Sequence, residues 1–180
     1  LTTRRQRQMC IRDSFNADKE VAEIYKNDRS CYQKIKKALP KYIISDHLDK
    51  KFLLKAVLDS KNNLKKISKI VHPIVRNRMN KFLIKNKTKK LVVLDIPLYL
   101  ENKLNKRGDV LIFVEAKRKD IQKRLEKRKY FNKKLNRNLK SLQLPLTKKK
   151  KLSNFVIKNT FNATKIKNDV KHIKNGILNI

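Results

Sequence analysis

Apolar residues recur at helical intervals through the first half of the chain. Val21, Ile24, Tyr25, Tyr32, Ile35 and Leu39 space a helix over 19–38 that must stop before Pro40. Phe52, Leu53, Ala56 and Val57 predict a second helix over 50–59. From Leu64 to Leu83 the same period continues over residues 61–86, with Pro73 inside it implying a kink or a fresh helix start. The pattern then changes. Short β-branched runs at 91–95, 110–114 and 155–157 read as buried strands. Between and after them, helical spacing predicts a charged helix over 117–128 and another over 137–150, disturbed by Pro145. A last helix runs over 163–174 towards Gly176, and the polar stretch 129–136 reads as an exposed loop.

Strands alternating with helices point to an α/β fold with a parallel sheet flanked by helices. A fully helical chain would not place three separate β-branched runs where sheet strands belong. The 180 residues are enough for one ordinary domain, and no repeat period or linker divides them. No apolar run approaches the length of a membrane span. Cys10 and Cys31 show neither metal-ligand spacing nor a CxxC pair, which suits a reducing, cytoplasmic setting.

The first fourteen residues differ in style from the rest. Arginine and glutamine dominate there, while lysine and asparagine dominate afterwards, and there is no apolar core of a secretory signal. The segment 1–14 reads as a scar joined ahead of the fold, and the domain is taken as residues 15–180. With this boundary the sheet is expected to be incomplete at its N-terminal end.

Charge changes the picture less than its size suggests. The formal net charge is +34, from 49 lysines and arginines against 15 acidic residues. Such an excess invites a polyanionic partner, whether nucleic acid, an anionic surface or phosphorylated small molecules. Here the excess is mostly lysine, spread along the whole chain among asparagines and isoleucines, residues that share A/T-rich codons. Lys148 to Lys151 is the single pure run, and aromatics do not interleave with the charge as they would along a single-stranded nucleic-acid groove. Compositional bias is therefore favoured over a nucleic-acid surface.

Several residues could carry phosphoryl-transfer chemistry, which needs a phosphate cradle, a metal site, a proton acceptor and cations over the moving group. Asp95 ends its strand, where α/β sheets place ligand-binding acids; capping of the next turn is the plainer alternative. Asp18 could accept a proton from an attacking hydroxyl, or could merely cap a helix starting at Lys19. His72-Pro73 lies in an apolar helical stretch, where a lone histidine is usually structural. Arg124 and Arg128 share one helix face ahead of the polar loop, a pair that could neutralise transferred charge or simply be solvated. Asn159 follows the last strand, as a loop residue or a ligand contact.

Taken together and in order, these segments resemble the dephospho-coenzyme A kinase family of P-loop kinases. Ile96-Pro97-Leu98-Tyr99-Leu100-Glu101 is similar to that family's Pro-Leu-Leu-(aromatic)-Glu signature, with Tyr and Leu exchanged. His72-Pro73 matches its His-Pro motif, and Asn16-Ala17-Asp18 matches its Asp-Ala-Asp with the first acid replaced. Gln122-x-Arg124-x-x-x-Arg128 resembles the entry to its lid, Arg137 and Gln143 the residues flanking the lid helix. Residues 152–159 resemble its closing strand, with Ser153-Asn154 in place of Ala-Asp. The resemblance spans about 15–175. It implies a P-loop kinase-like fold with a helical lid, and ATP-dependent phosphorylation of the 3′-hydroxyl of dephospho-coenzyme A with Mg²⁺. By the same carry-over, Asp18, Arg124 and Arg128 are catalytic, and His72, Pro97, Leu98 and Glu101 bind the acceptor. Arg137 and Asn159 then contact the nucleotide and Asp95 serves the metal. Its partners would be these small molecules, with no specific nucleic acid and no membrane.

One departure stands out. No Gly-x-x-x-x-Gly-Lys-Ser/Thr occurs in the 180 residues, whose glycines number 2, so no segment of the sequence offers that phosphate cradle. The expectation is a chain with acceptor and lid groups but without useful turnover by itself. Another P-loop nucleoside or nucleotide kinase and a basic nucleic-acid-binding protein are the competing readings. The former lacks the His-Pro and Pro-Leu-x-x-Glu pair, and the latter leaves the strand-Asp-Pro pattern unexplained.

Overall fold

The computed structural model describes residues 14–127 and 131–179, which fall into two compact units divided between Pro97 and Leu98. The first unit opens with β1 (Ser14–Asn16) and continues directly into α1 (Ala17–Asn27). After it come α2 (Arg29–Ala38), α3 (Lys50–Asp59), α4 (Lys61–Lys85) and β2 (Val93–Asp95). Ser14, grouped above with the preceding segment, is thus already strand. β1 and β2 pair in parallel with Phe15 opposite Leu94 and Asn16 opposite Asp95.

The helix expected over 19–38 is two helices. Asp28 breaks it: its extended backbone ends α1, and its carboxylate accepts from the Cys31 N–H at 2.8 Å to cap α2. Apolar spacing continues across the break because both helices bury the same side. Ile24, Cys31, Ile35, Leu39 and Ile43 join Leu53, Ala56, Ile67 and Val71 in one core. Burying a side chain such as Ile35, fully shielded here, contributes about 1.5–3 kcal/mol. Burial, then the nearby Asp28, raises the Cys31 thiol to about 11, so this cysteine packs and does not react.

α4 is the spine of the unit. Its first half, with Ile67 and Val71, packs into the helical core. Its second half brings Met79 and Phe82 against Phe15 and Ala17, with the rings of Phe15 and Phe82 5.7 Å apart. It runs as one 25-residue helix through Pro73, so of the expected kink or fresh start the fresh start does not occur. Tertiary packing on both halves outweighs the hydrogen bond that proline forfeits. Ser60 caps its start, and the buried Asn63 donates to the Ala56 carbonyl at 2.9 Å.

The second unit holds β3 (Ile112–Glu115), α5 (Arg118–Glu126), α6 (Lys133–Lys140), α7 (Leu146–Lys151), β4 (Phe155–Lys158) and α8 (Ala163–Leu178). β3 and β4 pair in parallel, Ile112 opposite Phe155 through Glu115 opposite Lys158. Asn154 closes the start of the pair by accepting from the Leu111 N–H, and the Asn159 N–H closes its end on the Glu115 carbonyl at 2.7 Å. The stretch read as a loop over 129–136 contains the start of α6, because Asn132 caps it through the Leu135 N–H. The single helix expected over 137–150 is interrupted, and Pro145 stands at the start of α7. The last helix passes through Gly176 to Leu178. The α/β expectation with parallel strands holds, realised as two parallel pairs. No helix among the described residues is long and apolar enough to cross a membrane.

Candidate functional site

In the first unit, candidate residues gather where β1 and β2 end. Asn16 and Asp95 are register partners, and the Asn16 carboxamide donates from Nδ2 to Asp95 Oδ2 at 2.6 Å. Its other end, Oδ1, accepts from the Lys19 N–H at 2.9 Å and caps α1. Asn16, not Asp18, is therefore the helix cap. Asp18 lies in the first turn of α1, exposed, with no hydrogen bond or ion pair among the described residues. Glu20, next along this turn region, is tied to Arg78 of α4 at 3.0 Å.

Asp95 offers hard oxygen donors at a strand end, one of them already holding Asn16. That chemistry fits a Mg²⁺, which takes one or two carboxylates and fills its remaining positions with water and phosphate oxygens. No group of three or more His, Cys, Asp or Glu forms among the described residues, so a cage that binds a metal without substrate is not what these residues build. His72 sits half-buried in mid-helix. Loss of solvent, and then the nearby Arg76, pulls its pKa below the usual imidazole value, so it stands neutral at pH 7. Pro97 is exposed at the end of this unit.

The second unit places its candidates differently. Leu98 adopts φ 58°, and its carbonyl accepts from both the N–H and the Nδ2 of Asn102. Glu101, expected to touch substrate, is engaged within the protein. Its Oε1 accepts from the Leu144 N–H at 2.9 Å and meets Lys149 Nζ at 2.7 Å, with the side chain 10% exposed. Burial by itself would raise this carboxyl, but Lys149 and the Leu144 amide outweigh it and hold it below the ordinary carboxylate value. The pair fastens the loop after residue 97 to α7, beside an open-sided cavity of about 400 Å³ lined by Leu100, Leu111, Leu144 and Leu152.

At the other end of the β3–β4 pair, Arg124 of α5 lies over the Phe161 ring with its guanidinium carbon 4.8 Å from the centroid. Asn159 Oδ1 accepts from the Phe161 N–H at 2.9 Å. Arg137 is exposed in the last turn of α6. Arg128 lies outside the described residues.

Comparison with known proteins decides the family. The family model for dephospho-CoA kinase matches residues 5–165. The chain belongs to the dephospho-CoA kinase family. Among curated relatives, a dephospho-CoA kinase of Wolbachia sp. subsp. Brugia malayi is 32% identical over 165 residues, covering 91% of this chain and 84% of that protein. One from Bartonella quintana is 30% identical over 145 residues, with 79% and 74% covered. Two solved structures share the fold. One from Thermus thermophilus has a TM-score of 0.67 at 21% identity, covering 95% of this chain and 90% of its own. A dephospho-CoA kinase from Campylobacter jejuni has a TM-score of 0.59 at 20% identity, covering 92% and 84%.

Membership of the dephospho-CoA kinase family makes the chain a kinase with small-molecule substrates. It also gives the strand-end acid, the His-Pro pair and the segment around Asn159 a common context. Three residues with evident roles escaped the sequence reading. Asn16 was seen only as a replaced acid, although an Asn before a helix is a capping signal. Lys149 is one of four successive lysines, and nothing local marks which of them meets Glu101. Phe161 carries no periodic signal at all.

Proposed function

We propose that this domain serves ATP-dependent phosphorylation of the 3′-hydroxyl of dephospho-coenzyme A. The observation that carries the reading is the end of the β1–β2 pair, where an ionisable, unengaged Asp18 opens a helix beside the Asn16–Asp95 pair. Asp18 is the group that takes the proton from the attacking hydroxyl, a role worth roughly 10²–10⁴ in rate. Neutral His72 contributes a hydrogen-bonding, uncharged contact to the acceptor. Asp95 would hold a Mg²⁺, whose chemistry is to bridge phosphate oxygens and neutralise charge that develops on them. Arg124 and Arg128 keep the catalytic role implied by their match to the lid entry, and Arg137 and Asn159 are assigned to the nucleotide.

Orientation of the γ-phosphate requires fixed donors, and lysines on flexible stems supply charge without geometry. The 180 residues hold no Gly-rich cradle, so we expect them to concentrate ATP without turning it over efficiently. The experiment compares the 180-residue chain with the same chain carrying an added strand and Gly-Lys-Ser/Thr loop ahead of Ser14. ADP release is followed with ATP, Mg²⁺ and dephospho-coenzyme A. Acceptor-dependent release should appear with the added loop, and Asp18→Asn should then lower kcat about 10²-fold or more while ATP affinity holds. Equal rates without the loop would remove the cradle argument. Full activity of Asp18→Asn would remove the base assignment, and no acceptor-dependent release from either chain would overturn the reading.

A further inference from the structure

We propose that Phe161 determines base specificity: its ring, with the Arg124 guanidinium laid over it, forms a stacking platform for the purine of the bound nucleotide. The inference rests on the nucleotide-phosphorylating reading above and adds a residue and a selectivity to it. Three observations converge within the second unit. Phe161 adopts φ 59°, in the left-handed region that a bulky residue rarely occupies. The conformation is fixed locally, because the Phe161 N–H donates to Asn159 Oδ1 at 2.9 Å while the Asn159 N–H is anchored on the Glu115 carbonyl at 2.7 Å. Despite this fixing, the residue is not withdrawn into a core, and 41% of it remains exposed.

A backbone held in a disfavoured state to keep an aromatic ring in solvent is poor economy for stability alone. It makes sense where a flat surface is wanted at the C-terminal end of parallel strands, the edge at which α/β sheets bind ligands. Arg124 supplies a second planar surface at 4.8 Å, and bases stack on both aromatic rings and guanidinium planes. Asn159 spends its Oδ1 on Phe161 and keeps an Nδ2 donor without a partner among the described residues, available to a ring nitrogen. A purine offers more stacking area than a pyrimidine, so the platform favours adenine or guanine nucleotides. Surface lysines, by contrast, attract every nucleotide through its phosphates and discriminate none.

Saturation-transfer NMR on the full 180-residue chain tests this with ATP, GTP, CTP and UTP as probes. It registers weak binding and reports which protons touch the protein. The unsubstituted chain should transfer strongly to H2 and H8 of ATP and to H8 of GTP. Phe161→Leu keeps apolar bulk but loses the π face, and should weaken ATP binding roughly 5- to 100-fold and erase the purine preference. Phe161→Trp should retain both. Because the sequence has no Trp, this variant also gives a single fluorophore that a stacked purine quenches. Circular dichroism and a thermal melt establish that each variant is folded. Unchanged base transfer and preference in Phe161→Leu would overturn the proposal and leave the kinase reading intact. Transfer confined to ribose protons would overturn it equally, showing attraction by phosphate charge alone. No transfer from any nucleotide to the unsubstituted chain would overturn both.

Discussion

In the first unit Ile24, Cys31, Ile35 and Ala56 are wholly shielded from solvent. In the second, Ile157 and Ile173 are the only buried hydrophobics among the described residues, while Ile112 and Val114 stand 44% and 56% exposed. The contrast follows from what each unit has to pack with. Amphipathic helices close on one another, so α1 to α4 share one interior assembled from nearby sequence. A pair of strands has two faces. α8 packs along β4, where the buried isoleucines lie, and β3 keeps apolar side chains in contact with water. The proposed site residues divide along the same line: the well-packed unit holds Asp18, His72 and Asp95, and the thinly packed one holds Arg124, Arg137 and Asn159.

The contrast is broken most directly by truncating one core residue in each unit. Ile35→Ala should cost about 3–4 kcal/mol of unfolding free energy, while Ile157→Ala should cost less, about 2 kcal/mol or under, because its surroundings are already loose. Urea titrations monitored by circular dichroism read both. Equal losses would mean the second unit is as tightly consolidated as the first.

Next in size is the Glu101–Lys149 pair. Lys149→Met strands a mostly buried carboxylate and should cost about 2 kcal/mol. Lys150→Met, which removes a more exposed partner of Glu115, should cost about 0.5 kcal/mol or less. Because folding lowers the Glu101 pKa, its stabilisation is present above the unfolded value of about 4.5 and is lost as pH falls through the lower folded one. Glu101→Gln should therefore be less stable than the parent at pH 7, with the gap closing in acid melts. A gap that persists at pH 3 would locate the effect in shape and not in charge.

A smaller effect separates capping from catalysis in the first unit. Asn16→Ala should lose about 1 kcal/mol of stability, whereas Asp18→Asn should change it by under 0.5 kcal/mol. Comparable losses would restore the capping role to Asp18. His72 supplies the finest test. Its pKa is depressed by burial, so the folded state binds its proton less readily, and stability falls as pH drops below about 6.5. His72→Gln should flatten thermal midpoints between pH 7 and 5, and an unchanged slope would assign that dependence elsewhere.

How much of this was legible depends on whether a residue's partner is near it in sequence. The helices at 50–59 and 61–85 follow from apolar period alone, since period and burial are the same fact there. The break within the first periodic stretch was hidden. Asp28 interrupts a helix whose apolar pattern continues, so there the cap and not the period sets the boundary, whereas Pro145 announced its own disturbance. The strand-end position of Asp95 was recognisable because a strand, an acid and a proline succeed each other within a few residues. Lys149 was not, because its partner is far away in sequence and its neighbours are chemically identical.

The Asn16 carboxamide has a consequence for how the strand ends respond to cations. An aspartate at this position would still accept from the Lys19 N–H. However, it would set one carboxylate against another at the 2.6 Å separation now bridged by Nδ2–H. Two such anions need a shared proton or a bound ion before they settle together. With an amide there, a hydrogen bond joins the parallel pair, and neither a shared proton nor a bound ion is required. The β1–β2 junction is thereby expected to assemble without a bound cation, and chelators that would loosen an acid–acid version should leave this one standing.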